Sequence, residues 1–591
     1  MSESTTLITE DPLETITESS TTVPNNEKKL TINERVKEGS DYLRGMLVEE
    51  LHNEADSFSA ETAILTRFHG IFQQDDRDRR PKGQGAQKFH QLMVRGRIPA
   101  GKLIAEQYVA WDDLADRYGN RSLRITTRQG LQLHGIMKQD VREVIRGINA
   151  ALCSTIATSG DAVRNVTQPV NPLGLPELDQ LDEICRMLTR HCMVKSPAYA
   201  EIFLDGEKLD NETIYCTEST VDPTEPLFGR TYLPKKINLG VTLAGHNGID
   251  VYSNDVAFAA TLDHTGQITG YFVFAGGGLG LNHNNPSTFA RAADCLGWVP
   301  AHALIPVTEA LIGIQRDYGN RGDRKYGRLK YVVAAKGPQW LQHEVQQRTN
   351  LLFSQINLPA WDTPNYLGWH RRRDGTWALG FYILSGRIAD QPGCALKSAL
   401  REVIEQYALK VQLTADQDLI LIGIKPSDRE AIEARLAELG VNPESPAPVY
   451  DKALACPALP TCGLAVAEAE RVMPRILSEI HEILEKLELN HYAPTIRVSG
   501  CPNACSRTYT AELGLAGRTA NAYAVYVGGD YEGTRMGKLL YDNVTLDDLP
   551  NLVRRLFSLW KVAKQYKEQR FGDFTDSYQV DALRTLLTYF Q

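Results

Sequence analysis

Two distant stretches of this chain can be laid on one another in register, and that repeat constrains the fold more than any single motif. Leu123 to Ile136 matches Val411 to Ile424 through Thr126 and Thr414, Gln129 and Gln417, two leucines, a glycine and a closing isoleucine. Each stretch reads as strand, polar turn and strand, followed by a charged helical pattern. At almost the same separation, Gly96-Arg97-Ile98 falls on Gly386-Arg387-Ile388. A second echo joins Tyr271 to Gly277 with Ala524 to Gly529, both apolar strands that end in glycines. The chain is thus expected to hold two copies of a two-part, strand-rich α+β unit. The seam of such a pseudo-twofold offers room for a large shared site.

The 591 residues, 42% of them hydrophobic, suffice for several such units with their own cores. A net charge of -9 gives no general attraction to a polyanion, so nucleic acid is not an expected partner. No stretch approaches the roughly 18 uninterrupted apolar residues of a membrane span, and no membrane association is expected. The N-terminus lacks a basic segment followed by an apolar run, which leaves a reducing, cytoplasmic setting as the expectation. Residues 1–26, dominated by Thr, Ser, Glu and Pro, read as a disordered tail. Glu34 to about Glu54 reads as helical, Asp75 to Lys82 as a solvated loop, and Leu539 to Phe590 mainly as helical packing elements.

Ten cysteines are too dilute for a disulfide scaffold in a chain of this length. Cys456, Cys462, Cys501 and Cys505 crowd together, while Cys153, Cys185, Cys192, Cys216, Cys295 and Cys394 are scattered and read as ordinary buried thiols. The crowded four form two pairs with five and three intervening residues, set among glycine and proline. Four thiolates suit an iron-sulfur cluster, because iron prefers soft sulfur and the small neighbours let loops curl around it. Structural zinc and unrelated buried thiols remain open on spacing alone, although the five-residue gap is wider than the usual zinc knuckle.

The two cysteine pairs, the residues from Gly463 to Arg471 and the upstream region from Leu123 to Gly135 closely resemble the sirohaem and 4Fe-4S assimilatory sulfite and nitrite reductase family, over roughly residues 60 to 540. The resemblance implies an α+β, trilobed, pseudo-twofold architecture of duplicated ferredoxin-like and sirohaem-binding modules. It divides the chain into an N-terminal segment with the first ferredoxin-like half (27–145), a first sirohaem reductase domain (146–345), a second ferredoxin-like half (346–440) and a second reductase domain with a helical end (441–591). It also implies that Cys456, Cys462, Cys501 and Cys505 ligate the cluster, with Cys505 bridging to the sirohaem iron.

Reduction of sulfite to sulfide, or of nitrite to ammonium, takes six electrons and repeated removal of oxygen as water. Such chemistry calls for a metal that binds substrate, a second centre that relays electrons and a positive, proton-donating pocket. The resemblance points to Arg95, Arg164 and Lys236 as contacts to the bound anion. Arginine suits that task through its fixed fork and lysine through its mobile charge. It assigns Arg124, Arg128 and His134 to the polar side of the sirohaem site, and Gly276, Gly277 and Gly278 to close cofactor approach. Sulfite reductases of the family carry a second lysine two residues beyond the first, where this chain has Asn238; nitrite reductases commonly have asparagine there. One lost charge weakens attraction to a dianion more than to a monoanion. The segments around Phe68-His69-Gly70, Thr127-Arg128-Gln129 and Gln315 to Lys325 look more like sulfite reductase, so sulfite is the favoured substrate and nitrite the alternative.

No strand leads into a Gly-x-Gly-x-x-Gly dinucleotide motif, because Ala275 to Gly280 has the wrong glycine pattern. Electrons are therefore expected from outside, from a ferredoxin favoured over a flavoprotein subunit, with Arg77 to Lys82 and Arg371 to Arg373 as basic patches that could receive it. A zinc-stabilised structural or interaction protein is the alternative of a different class.

Overall fold

The computed structural model describes residues 30–81, 87–196, 203–204, 207–208, 225–283 and 285–590. The expected tail over 1–26, Lys82 and Cys216 lie outside these residues.

The repeat of Leu123 and Val411 becomes a pair of five-stranded sheets that trade an edge strand. The first runs in the spatial order Ile71–Asp75, His90–Arg95, Leu131–Ile136, Leu123–Ile125 and Arg387–Ile388. The second runs Gly368–Arg371, Trp377–Phe381, Leu419–Ile424, Lys410–Leu413 and Lys102–Leu103. The last strand of each belongs to the other half of the chain. Arg387 pairs with Arg124 in the first sheet, and Lys102 pairs with Gln412 in the second, both antiparallel. Alternation along these strands turns Val94, Leu123, Ile125, Leu131 and Leu133 inward onto Val411, Leu413, Leu419 and Leu421, so the two halves share one core.

Each exchanged strand leaves a one-turn 3-10 helix, Pro99–Gly101 or Leu384–Gly386, whose middle residue has positive φ: 59° at Ala100 and 54° at Ser385. A Cβ on Gly101 would stand 2.4 Å from the Leu413 carbonyl oxygen, and one on Gly386 would stand 2.4 Å from that of Ile125. Glycine is required at both by close approach of the partner half. The structural counterpart of Gly386-Arg387-Ile388 is therefore Gly101-Lys102-Leu103 and not Gly96-Arg97-Ile98. Gly96 clears the Trp111 ring instead, at 2.5 Å from a Cβ.

The second echo lies in two further sheets. One has the order Asp294–Pro300, Ile268–Ala275, Val256–Leu262 and Leu239–Leu243. The other has the order Leu454–Ala455, Ile496–Ser499, Leu513–Thr519, Ala522–Val527 and Lys538–Thr545. Both combine an antiparallel meander with a parallel pair, Leu239–Leu243 beside Val256–Leu262 and Ile496–Ser499 beside Leu513–Thr519. Each sheet packs under helices into its own core, one spanning Leu43 to Val345 and one Val449 to Leu587. Three large cores thus give a trilobed α+β fold.

Two local readings change. The segment expected as one helix over 34–54 is two short helices, Ile32–Glu38 and Leu47–His52, separated by Asp41, Tyr42 and Leu43 at positive φ. The C-terminal region begins with the strand Lys538–Thr545 before the helices Leu549–Ala563, Phe571–Asp576 and Val580–Leu587. Among the described residues, no helix is long and apolar enough to cross a membrane.

Candidate active site

On the first sheet, the residues that alternate with the shared core form a polar row. Antiparallel register sets Arg95 opposite Gln132, Gln132 opposite Arg124, and Arg124 opposite Arg387. Arg124 is 1% exposed; it is bound to the Glu470 carboxylate and donates to the Ala455 carbonyl at 2.8 Å. Arg387 donates to the same carboxylate at 2.6 and 3.0 Å. Arg124 thus braces the strand that leads into Cys456, and its contacts do not turn it towards open space. His134 is also enclosed, and burial, followed by the charges of Arg387, Arg124 and Arg95, holds its imidazole well below the usual range.

Arg95, Arg128, Arg164 and Lys236 behave differently. All four keep accessible surface, yet each lies so deep that desolvation is the largest influence on its charge. The combination marks the wall of an internal hollow. Arg95 and Arg128 are lowered to about 10 and Arg164 to about 9; Lys236 falls well below its ordinary value, with Arg164 and Arg328 adding to burial. Arg95 Nη1 and Arg164 Nη1 both donate to the Thr158 carbonyl, at 3.4 and 3.1 Å. Arg128 donates to Asn254 Oδ1 and to the carbonyls of Asn165 and Leu239 at 2.6 to 2.8 Å. Among the described residues these arginines have neutral acceptors only. Neighbouring cations are neutralised: Arg328 by Asp255 at 2.9 and 2.7 Å, and Arg324 by Asp161. Uncompensated charge at such depth is costly, and an anion in the hollow relieves it.

The cysteines lie at the same place. Leu454–Ala455 and Ile496–Ser499 pair in parallel, so the loops bearing Cys456 and Cys501 leave one edge of one sheet together. Cys456 and Cys501 are buried, Cys462 is half-buried and Cys505 is exposed. Burial pushes the first three thiols up, Cys501 to about 12, and the charge of Cys505 raises each of them further. Cys505 also faces Arg95 and Lys236, whose charges it favours, and its carbonyl accepts from Thr127 Oγ1 at 3.2 Å. The Gly500 N–H donates to Cys456 Sγ at 3.3 Å, and Asn503 Nδ2 to Cys501 Sγ at 3.5 Å. Among the described residues, no three His, Cys, Asp or Glu side chains converge as ligands of a single ion.

The remaining expected residues divide. Asn238 stands at the hollow's edge; its N–H donates to Asp255 Oδ2 at 2.7 Å, and its buried Oδ1 has no partner among the described residues. Gly276, Gly277 and Gly278 follow the strand Ile268–Ala275. A Cβ on Gly277 would stand 2.3 and 2.4 Å from the carbonyl oxygens of Asn254 and Tyr252, so protein backbone already requires glycine there. Of the scattered cysteines, Cys185 and Cys192 are buried and Cys153 and Cys394 half-buried, while Cys295 is exposed, contrary to expectation. It lies on the outermost strand of its sheet. Thr158, Gln132, Glu470, Asp255 and Lys330 were not singled out by sequence. Lys330, fully buried, donates to the carbonyls of Gly278 and Gly280 at 3.0 and 2.6 Å, and burial lowers it to about 7. Gln132 carried the clearest signal of these, a polar residue alternating with leucines.

Comparison with known proteins bears on the family and the fold. The family described as nitrite and sulphite reductase 4Fe-4S domain matches residues 185–352. The nitrite/sulfite reductase ferredoxin-like half domain matches twice, at 85–151 and 370–439, one match in each half of the strand-exchanged pair. A protein named sulfite reductase (ferredoxin) from Synechococcus elongatus is 38% identical over 95% of this chain and 92% of its own length. A sulfite reductase (NADPH) hemoprotein beta-component from Shewanella oneidensis is 36% identical over 93% of this chain and 97% of its own. The fold matches the structure of the Mycobacterium tuberculosis NirA protein with a TM-score of 0.74 at 21% identity, covering 94% of this chain and 98% of that one. With relatives this similar along nearly its whole length, and both ferredoxin-like halves matched, the chain belongs to the sirohaem and 4Fe-4S assimilatory sulfite and nitrite reductase family of redox enzymes.

Proposed function

We propose that this enzyme is an assimilatory sulfite reductase that reduces sulfite to sulfide by six electrons in the hollow beside Cys505. The observation that carries the reading is the set of deep cations, Arg95, Arg128, Arg164 and Lys236, two of which, Arg95 and Lys236, face Cys505, with no carboxylate among their hydrogen-bond partners in the described residues. The residues present fit the family's two cofactors. Two of the four thiols already accept a hydrogen bond at sulfur, Cys456 from the Gly500 N–H and Cys501 from Asn503 Nδ2, and four soft sulfur donors among small residues suit a cluster of iron and sulfide. Cys456, Cys462, Cys501 and Cys505 would hold it, and Cys505, the exposed one, would be shared with the sirohaem. Bound together, the two groups supply substrate ligation and one-electron relay.

The chain's own residues orient the anion and deliver protons. Arg95 and Arg164 offer fixed donors held on one carbonyl, and Lys236, its ammonium destabilised by burial and by Arg164, gives up a proton readily. A ferredoxin donor is supported by the name of the Synechococcus relative, and a flavoprotein donor by that of the Shewanella relative. Nine described cysteines, all unpaired, support a reducing cytoplasm. Asn238 favours a second reading, nitrite to ammonium, because it leaves the hollow one charge poorer for a dianion.

The test is absorption spectroscopy with iron analysis, followed by turnover of sulfite and nitrite with one artificial donor. Strong haem absorption, about five irons per chain as the two cofactors require, and preference for sulfite are expected. A colourless, iron-free protein after anaerobic reconstitution overturns the reading, and a strong preference for nitrite replaces sulfite with the second reading.

A further inference from the structure

Gln132 and His134 occupy neighbouring outward positions on Leu131–Ile136, 4% and 3% exposed, directly behind Arg95. Arginine can only donate. The Gln132 amide therefore turns its oxygen to Arg95, accepting from Nε at 2.8 Å and Nη2 at 2.7 Å, and its nitrogen faces His134 Nε2 at 3.3 Å. That nitrogen can only donate, so His134 Nε2 must accept, which fixes the neutral imidazole with its proton on Nδ1. The chain of donors thus has a single direction, from Arg95 through Gln132 to His134, and the guanidinium is left with Nη1 towards Thr158 and the hollow. Phe72 lies under the same guanidinium at 5.4 Å from the ring centre.

The internal duplication shows that the fold itself does not need these polar residues. Ile420 stands where Gln132 does and Ile422 where His134 does, and Gly380 faces Ile420 as Arg95 faces Gln132. There the equivalent face is a small apolar cluster of Val170, Ala378 and Ile420, joined by Tyr366 and Ile422. Burying a glutamine and a histidine in place of two isoleucines forfeits apolar burial, and in exchange a guanidinium is aimed.

We infer that Gln132 and His134 are positioning residues that hold Arg95 in the orientation in which it meets the substrate anion. The inference rests on the reading of Arg95 as an anion contact. Its test uses the cofactor-loaded enzyme and two probes followed by haem absorption, sulfite as an anion and carbon monoxide as a neutral ligand. Gln132→Ile, the residue the second half already tolerates, is expected to weaken sulfite about tenfold, the order of losing hydrogen bonds to a charged group, and to leave carbon monoxide affinity unchanged. Gln132→Glu, which still accepts from Arg95 but sets a carboxylate against it, is expected to weaken sulfite as well, because the guanidinium charge is then neutralised. His134→Ile, which frees the amide, is expected to give the same selective loss at about threefold and serves where Gln132→Ile does not fold. Unchanged sulfite affinity in both isoleucine variants, or equal weakening of both probes, overturns the inference. Arg95→Gln separates the two levels: if it leaves sulfite affinity intact, the reading of the site fails; if it weakens sulfite while Gln132→Ile does not, only the positioning role fails.

Discussion

The turns Thr126–Gly130 and Thr414–Asp418 are the same object built twice. Thr126 Oγ1 accepts from the N–H groups of Arg128 and Gly130 at 3.3 and 3.1 Å, and Thr414 Oγ1 from those of Asp416 and Asp418 at 3.1 and 2.9 Å. Gln129 and Gln417 both have positive φ, 53° and 71°, and each amide crosses to the other half, to the Leu413 and Ile125 carbonyls. What differs is charge. Arg128 faces the hollow, whereas Asp416 accepts from Arg507 Nη2 at 3.0 Å, and Arg507 and Arg497 share Asp250. The space left beside Asp416, Asp418 and Lys452 is about 40 Å³, room for little more than water. Duplication supplied one scaffold twice: at one copy carboxylates neutralise the arginines, and at the other the arginine has neutral acceptors only among the described residues.

Reversing the sign at the open turn gives the largest effect. Arg128→Asp is expected to lower kcat/KM for sulfite at least a hundredfold, roughly the loss seen when an electrostatic contact to a reacting anion is removed, with haem content measured alongside. At the closed copy the cost falls on the fold. Asp250→Asn leaves Arg497 and Arg507 without their shared carboxylate and is expected to cost about 3–5 kcal/mol in urea unfolding; a loss below about 1 kcal/mol would mean that the second copy is not held shut by charge.

Lysines in the two copies should differ in pH response. Lys236 is charged below its lowered pKa and neutral above it, so nitrite affinity is expected to fall as pH rises, beginning well below the ordinary lysine range. The fall should be about tenfold, the order of one lost charge-assisted contact, and Lys236→Gln should flatten it. Lys452→Gln should leave the profile in place. The smallest effects test the likeness itself: Thr126→Val and Thr414→Val each remove an acceptor of two backbone N–H groups and should each cost about 1–2 kcal/mol. Unequal costs would show that the two turns are not energetically equivalent.

The register of the repeat was legible because Thr414 and Gln417 recur with their apolar flanks, and local turn chemistry is written locally. The match of Gly96 with Gly386 misled because glycine there is selected by a carbonyl of the other half, and nothing in the neighbouring residues marks Gly101 as the one that approaches it. The crowding of Cys456, Cys462, Cys501 and Cys505 is plain in the sequence, whereas spacing alone leaves their role open. The division among the arginines could not be read there. Arg124 is enclosed because Glu470 reaches it from a distant loop, and Arg95 stays open because its hydrogen-bond partners among the described residues, Gln132 and the Thr158 carbonyl, are neutral. Which guanidinium finds a carboxylate is settled by contacts hundreds of residues apart in sequence, where periodicity carries no information.

The exchanged edge strands also govern the order in which the molecule can be assembled. While the chain emerges during synthesis, Leu123–Ile125 presents an unpaired sheet edge until residue 388 has been made. The wall that carries Arg95, Gln132 and Arg124 is therefore completed late, by contacts of high sequence separation that form slowly. Until then its nascent edge is open to pairing with other chains, so productive folding depends on the second half arriving before a neighbour does.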